Sequence, residues 1–474
     1  MRALEDGKGP DSVGSSRAGI NPRGDEHLSF AALLAYGLPT TGASFIAFLL
    51  ILYIFKYATD VLLIAPAVMG FLFALARIWD AISDLLVGYL SDRTKTRFGR
   101  RRPWLFASVL PFALVPVLLW SPPAFLEGFW LIVWIAIALL AYETVLTIFF
   151  VPHLALGGEL SMDPHERTRV FAFRQVPWSL GFFACVGAVY LLQTAEDERA
   201  MAFLVSGVGG LVAAALIFFA TLRLREHASH IGKGASSPIK AFTDVMQNPP
   251  ARMLLVVYLI EFLGMATLGI VAPYFLQYVI KAETAYSLML LFNFVPSILM
   301  IPVAVLLARR FGKKPVWGAS MVIAGVSYGA NFFAGEGDLA WVLFWVMGTG
   351  IALGVSQVLG PSLQADIVDY DEHRTGERKE GAYFALWNFV RKAANGITGA
   401  LTGLALQYSG FTPNVEQSED AIFAIRFLYA GVPAIAMAIG AFLFFTRFNF
   451  DASDHERIRA EIDRRAGEER GQPT

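Results

Sequence analysis

The sequence predicts an all-α membrane protein with twelve transmembrane helices in two six-helix halves. Composition, the spacing of apolar runs, and a motif repeated once per half all lead there. Of 474 residues, 56% are hydrophobic and only 16% charged, whereas soluble chains carry about a quarter charged residues. The charge is gathered into short segments between apolar runs, most of them near the ~20 residues that cross a hydrocarbon core.

The runs lie at 31–58, 64–90, 104–120, 129–156, 171–194 and 201–222, then at 252–280, 285–308, 315–334, 340–365, 381–407 and 421–446. Residues 1–28 are polar, lack the short apolar core of a signal peptide, and read as a disordered cytoplasmic tail. The first half is 29–222, a charged cytoplasmic linker is 223–250, the second half is 251–446, and a charged cytoplasmic tail is 447–474. Basic residues in short loops set orientation. Arg93, Lys95, Arg97, Arg100, Arg101 and Arg102 follow the second span, and Arg309, Arg310, Lys313 and Lys314 follow the eighth. Both termini are therefore expected on the cytoplasmic side of a plasma (inner) membrane. The lone Cys185 sits in an apolar run and reads as a buried, inert thiol. A net charge of -1 gives no reason to expect nucleic acid as a partner.

The repeated motif is Arg97-Phe98-Gly99-Arg100-Arg101 after the second span and Arg310-Phe311-Gly312-Lys313-Lys314 after the eighth. The segments after each half's fourth span, 163–169 and 371–378, also rhyme and read as loops. Two parallel halves related by an axis along the membrane normal describe the major facilitator architecture. Its basic clusters are expected to dock on acidic residues and helix C-termini, holding one face shut, or to anchor on anionic lipid. No paired His/Cys ligands or nucleophile motif point to an enzyme, which leaves a transporter or a non-transporting sensor. A monomer is the architectural default, and no cofactor is expected beyond a coupling ion.

Charge inside an apolar span costs roughly 2.5–3.5 kcal/mol on insertion scales, so each such residue calls for a role. Asp80 and Asp84 are i and i+4 and point from one helix face. Their repulsion is relieved by a proton or a metal cation, and hard carboxylate oxygens suit Na⁺. Alternatively Arg77 and Asp80 form a structural pair. Glu143 and Thr147 share a face of the fourth span, and Arg391 and Lys392 lie ~15 Å deep in the eleventh. Lys392 either neutralises the aspartates or snorkels. Glu261, alone among Leu, Ile and Phe, reads as a substrate acceptor, a proton carrier or a cross-bundle partner.

Several motifs together resemble the glycoside-pentoside-hexuronide:cation symporters, the family of melibiose permease. They are Arg77-Ile78-Trp79-Asp80 through Asp84; Ser91-Asp92-Arg93; Arg97 through Trp104; Pro152 through Leu156 with Glu159; Glu166 through Arg169 with Arg174; and Asp369 through Glu372, Thr375-Gly376, Arg378, Glu380-Gly381 and Lys392. The resemblance covers about residues 30–446. It implies symport of a sugar or glycoside with Na⁺ or H⁺ and assigns the cation site to Asp80, Asp84 and Thr147. It gives coupling to Lys392, or Arg391 one residue away, and places Arg174 near the sugar. Two carboxylates and a stacking tryptophan that hold the sugar in melibiose permease are Ser44, Phe150 and Leu154 here. Glu143, Gln175, Trp178, Glu261, Tyr274, Gln277, Trp387 and Asn388 are candidates to replace them. An amphipathic, lysolipid-like cargo is the alternative to a sugar.

Overall fold

The computed structural model describes residues 28–160, 164–224, 245–375, 380–448 and 461. The expected N-terminal tail up to residue 27, most of the linker (225–244) and the C-terminal tail after 448, Glu461 apart, lie outside the described residues. Every regular element among those described is helical. Hydrocarbon offers backbone groups no water, so each must find its partner within the segment.

The first half runs α1 (Phe30–Gly37), α2 (Pro39–Lys56), α3 (Pro66–Arg93), α4 (Arg102–Trp120), α5 (Gly128–Glu159), α6 (Pro164–Thr194) and α7 (Glu198–Arg223). The second runs α8 (Pro249–Ile270), α9 (Tyr286–Phe311), α10 (Lys313–Asn331), α11 (Leu339–Thr375) and α12 (Glu380–Tyr408). It ends in α13 (Glu419–Arg426) and α14 (Val432–Arg447), one rod interrupted by a π-helical turn. Nine described spans are long and apolar enough to cross a membrane. Helices α3, α10 and α12 are of comparable length but carry charged or small polar residues on inward faces. Local chemistry fixes the helix starts. Asp197 accepts from Ala200 N at 3.0 Å to cap α7, and Asn248 accepts from Ala251 N at 3.3 Å to cap α8.

Two helices outrun the apolar signal: α6 begins at Pro164 and α11 continues to Thr375. The segments expected as loops after the fourth spans are thus helical where described, with 161–163 and 376–379 outside the described residues. The polar end of α11 is held by Lys313 Nζ on Asp366 (2.8 and 2.6 Å) and by Arg374 on Asp371 (3.1 Å). In the first half, Arg101 bonds Ser91 Oγ at 2.6 Å and pairs with Asp92, while Arg102 donates to Thr221 O at 3.1 and 2.9 Å. The basic motifs do dock on a carboxylate and a helix C-terminus. These contacts each lie within one half and brace it.

A second echo marks the first helix of each half. Helix α2 ends in the π-helical turn Tyr57–Val61, and the rod that begins with α8 ends in the π-helical turn Phe275–Val279. Each is followed by a left-handed residue, Leu63 at φ 57° and Lys281 at φ 61°. The two turns pack together at the end opposite the basic motifs. There Thr59 Oγ1 and Tyr274 Oη lie 2.5 Å apart, Tyr278 donates to Asp60 at 3.1 Å, and Lys56 reaches Glu283 at 3.2 Å. Toward the basic end, Gln175, Asn388 and Arg391 are exposed.

The halves also cross along α3 and α12, where Gly396, Gly399 and Gly403 face Pro66, Gly70, Phe73 and Arg77. A Cβ at Gly403 would stand 2.3 Å from Pro66 O, and one at Gly70 would stand 2.7 Å from Gly399 O. Only bare Cα atoms permit this approach. Gly403→Val is therefore expected to lower the melting temperature of the purified protein, in line with the roughly 1–3 kcal/mol of overpacking. An unchanged melting temperature in differential scanning fluorimetry would contradict the crossing.

Candidate functional site

The glycine crossing sets the depth at which the charged residues meet. Asp80 and Asp84 follow Gly70 on the same face of α3, and Lys392 precedes Gly396 on the matching face of α12. Lys392 Nζ lies 2.9 Å from Asp80 Oδ2 and 2.5 Å from Asp84 Oδ2. One ammonium from the second half thus bridges two carboxylates of the first. Arg391 is exposed and turns to Asn388 Oδ1 at 3.4 Å, so Lys392 is the residue that reaches the pair.

Helix α5 supplies the hydroxyl. Thr147 Oγ1 is 3.3 Å from Asp80 Oδ1 and 3.1 Å from Asp84 Oδ1. Ser83 adds a second hydroxyl, 3.1 Å from Thr147 Oγ1 and donating to Asp80 O at 3.1 Å. Ser83 was not singled out from sequence, because a search for charge passes over it. Its place between the two aspartates on α3 was the available signal. Arg77 pairs with Glu143 and sits 3.8 Å from Asp80 Oδ2. Three carboxylates, on Asp80, Asp84 and Glu143, therefore contact two cationic groups, Arg77 and Lys392.

The other candidates separate. Ser44 is fully buried, and its hydroxyl donates to Thr41 O (3.1 Å) and Trp178 O (3.0 Å) in the packed seam of α2 and α6. Trp178 meets Phe150 at 5.6 Å and Phe48 at 5.5 Å between ring centroids, and Arg174 lies 5.6 Å from its ring. Arg174 Nε is buried without a hydrogen-bond partner among the described residues. Phe182 continues this aromatic group across the halves, stacked on Phe294 at 3.7 Å. Phe48, Phe182 and Phe294 were invisible to sequence reasoning, since aromatics in apolar spans carry no distinguishing signal. Leu154 and Gln175 are exposed toward the end that carries the basic motifs. Gln277 and Tyr274 belong to the closed end, and Trp387 packs on Tyr383 inside the second half. Glu261 is also inside the second half, bonded by Trp317 Nε1 at 3.4 Å. Of the family motifs, the side chains of Glu159, Arg167, Thr168 and Glu380, and all of Gly376 and Arg378, lie outside the described residues.

The sequence profile of the MFS/sugar transport protein family matches residues 35–452. The chain belongs to that family. It is a multi-pass membrane transporter and not an enzyme. It is 26% identical over 434 residues to a putative sulfoquinovose importer of Escherichia coli (strain K12), covering 88% of this chain and 91% of that one. It is 25% identical over 437 residues to a putative glycoside/cation symporter of the same organism, covering 90% and 94%. The crystal structure of a D-xylose-proton symporter shares the fold with a TM-score of 0.65 at 16% identity, covering 88% of this chain and 97% of that one.

Removing one partner of a buried ion pair leaves the other charge uncompensated, at about 3–5 kcal/mol. In this transporter Arg77→Ala is expected to reduce thermal stability strongly, and Arg77→Ala with Glu143→Gln to regain most of it. Melting temperatures of the single and double variants check the pair. Equal losses in both would remove Glu143 as the partner of Arg77.

Proposed function

We propose that this MFS/sugar transport protein carries a sugar or glycoside by symport with Na⁺ or H⁺, the ion binding at Asp80, Asp84 and Thr147. The observation that carries this reading is Lys392 lying on both carboxylates from the opposite half. An ammonium and a coupling cation compete for the same oxygens. With the ion absent, Lys392 supplies the compensating charge and ties α12 to α3. With the ion bound, the carboxylates are neutralised locally and Lys392 is released, freeing the halves to rock about the glycine crossing. In this reading the end carrying the basic motifs, where Gln175, Asn388 and Arg391 are exposed, opens to the cytoplasm. Polar groups at membrane depth need water and basic loops favour the cytoplasmic side, which corresponds to an inward-facing conformation. One Na⁺ entering down ~100 mV contributes about 2.3 kcal/mol, enough for roughly 50-fold accumulation before any chemical gradient is counted.

In this reading the sugar stacks against Trp178, Phe150 and Phe48, whose rings offer stacking faces. The unpartnered Arg174 Nε beside them supplies a donor to a hydroxyl or an acidic substituent. The same aromatic wall would accept the acyl portion of a lysolipid, so a lysolipid belongs in the substrate screen.

Asp80→Asn and Asp84→Asn are each expected to abolish ion-dependent uptake in proteoliposomes while the protein still folds. Thr147→Val should weaken ion affinity several-fold with substrate binding kept. Full coupled uptake in both aspartate variants would refute the ion site. Uptake driven by a Na⁺ gradient or by a pH gradient identifies the ion, and competition by glycosides or by lysolipid identifies the cargo class.

A further inference from the structure

Glu261 has no part in the α3–α12 cluster, yet it is a buried carboxyl near the middle of a membrane-spanning helix. It borders a cavity of about 150 Å³ enclosed by α8, α9, α10, α11 and α14, walled largely by Met265, Met321 and Met437 with Asn293 and Thr349. Oε1 accepts from Trp317 Nε1 at 3.4 Å, Ser356 presents its hydroxyl to the carboxyl, and the buried Oε2 makes no hydrogen bond of normal geometry among the described residues. The groups facing it are uncharged: Tyr258 on α8, Trp317 on α10, Ser356 on α11 and Met437 on α14. Tyr328 lines the cavity from α10, and Thr398 of the adjoining α12 donates to Leu263 O at 3.3 Å.

An ionised carboxylate in such surroundings lacks both water and a counter-charge, and either lack is expensive. The site therefore calls for a positive charge on or beside Oε2. Glu261 is the one carboxylate among the described residues lining the cavity, and the neutral Asn293 and Thr349 bond each other at 2.8 Å, a set poor in charged oxygens for a hard metal ion. A proton needs only one. We propose that Glu261 is a second ion site of this transporter, a proton site, with the proton on Oε2 directed into the cavity while Oε1 accepts from Trp317. At about 30 Å³ per water, the cavity has room for the few molecules that would exchange this proton. The proposal is independent of the ion site at Asp80 and Asp84.

Infrared difference spectra of the purified full-length protein at neutral pH test it, taken in H₂O and D₂O as wild type minus variant. The expected result is a carboxylic-acid carbonyl band that moves down in D₂O, vanishes in Glu261→Gln and persists in Asp80→Asn and Asp84→Asn. Trp317→Phe removes the donor to Oε1, so it should keep the band and raise its frequency, which tests the assignment even if Glu261→Gln folds poorly. Survival of the band in Glu261→Gln would overturn the proposal. So would its loss in Asp80→Asn, or a carboxylate signature for Glu261 in its place.

Discussion

The bridge from Lys392 to Asp80 and Asp84 joins two halves that must also be able to part. It forms because α3 and α12 cross on bare glycines, bringing an ammonium on one helix within hydrogen-bond range of carboxylates on the other. A bulkier seam would hold the helices apart and leave the charges to find other partners. The crossing and the charge cluster are therefore one device. Packing sets the distance, and electrostatics sets which state of the crossing is favoured.

The charges within that device have different neighbours. Glu143 is deeply buried and is met by Arg77, a pair drawn from two helices of the same half. This pair can persist while the halves move. Asp84 depends on a cation from the other half, and Asp80 keeps only the longer 3.8 Å contact with Arg77 inside its own half, so the compensation of both changes when the halves separate. A buried carboxylate without its partner is costly. That cost is what a coupling ion can relieve, and it makes the difference between Lys392 and a bound ion matter to the conformational equilibrium. At the opposite end, the paired π-helical turns hold the halves together through Lys56, Asp60, Tyr278 and Glu283, a set of contacts separate from the ion cluster.

The architecture was readable because apolar runs and basic loops are direct consequences of the bilayer. Asp80, Asp84 and Lys392 were readable for the same reason, since charge inside a span is expensive enough to stand out, while Thr147 was reached through its spacing from Glu143 and the family resemblance. The polar extensions of α6 and α11 were not, because a helix that has left the hydrocarbon loses its apolar signature while keeping its backbone bonds. The π-helical turns after Lys56 and Tyr274 were missed because their sequences read as ordinary helix. Ser44 shows the limit of matching by position. Its hydroxyl is spent on Thr41 and Trp178 carbonyls in a helix seam, which only the packing reveals. The aromatic group of Phe48, Trp178, Phe182 and Phe294 is likewise assembled by tertiary contact and has no local pattern.

Competition between Lys392 and the coupling ion is tested most directly by ion titration of thermal stability. Wild type and Lys392→Met would be compared against Na⁺ in choline buffer and, separately, against pH. An ion that binds the native state raises apparent stability by mass action, by about 2.7 kcal/mol at a hundred times its dissociation constant. For whichever ion shifts the wild type, the account predicts half-maximal stabilisation of Lys392→Met at a lower ion concentration. An unchanged midpoint, or no response of either protein to either ion, would contradict it.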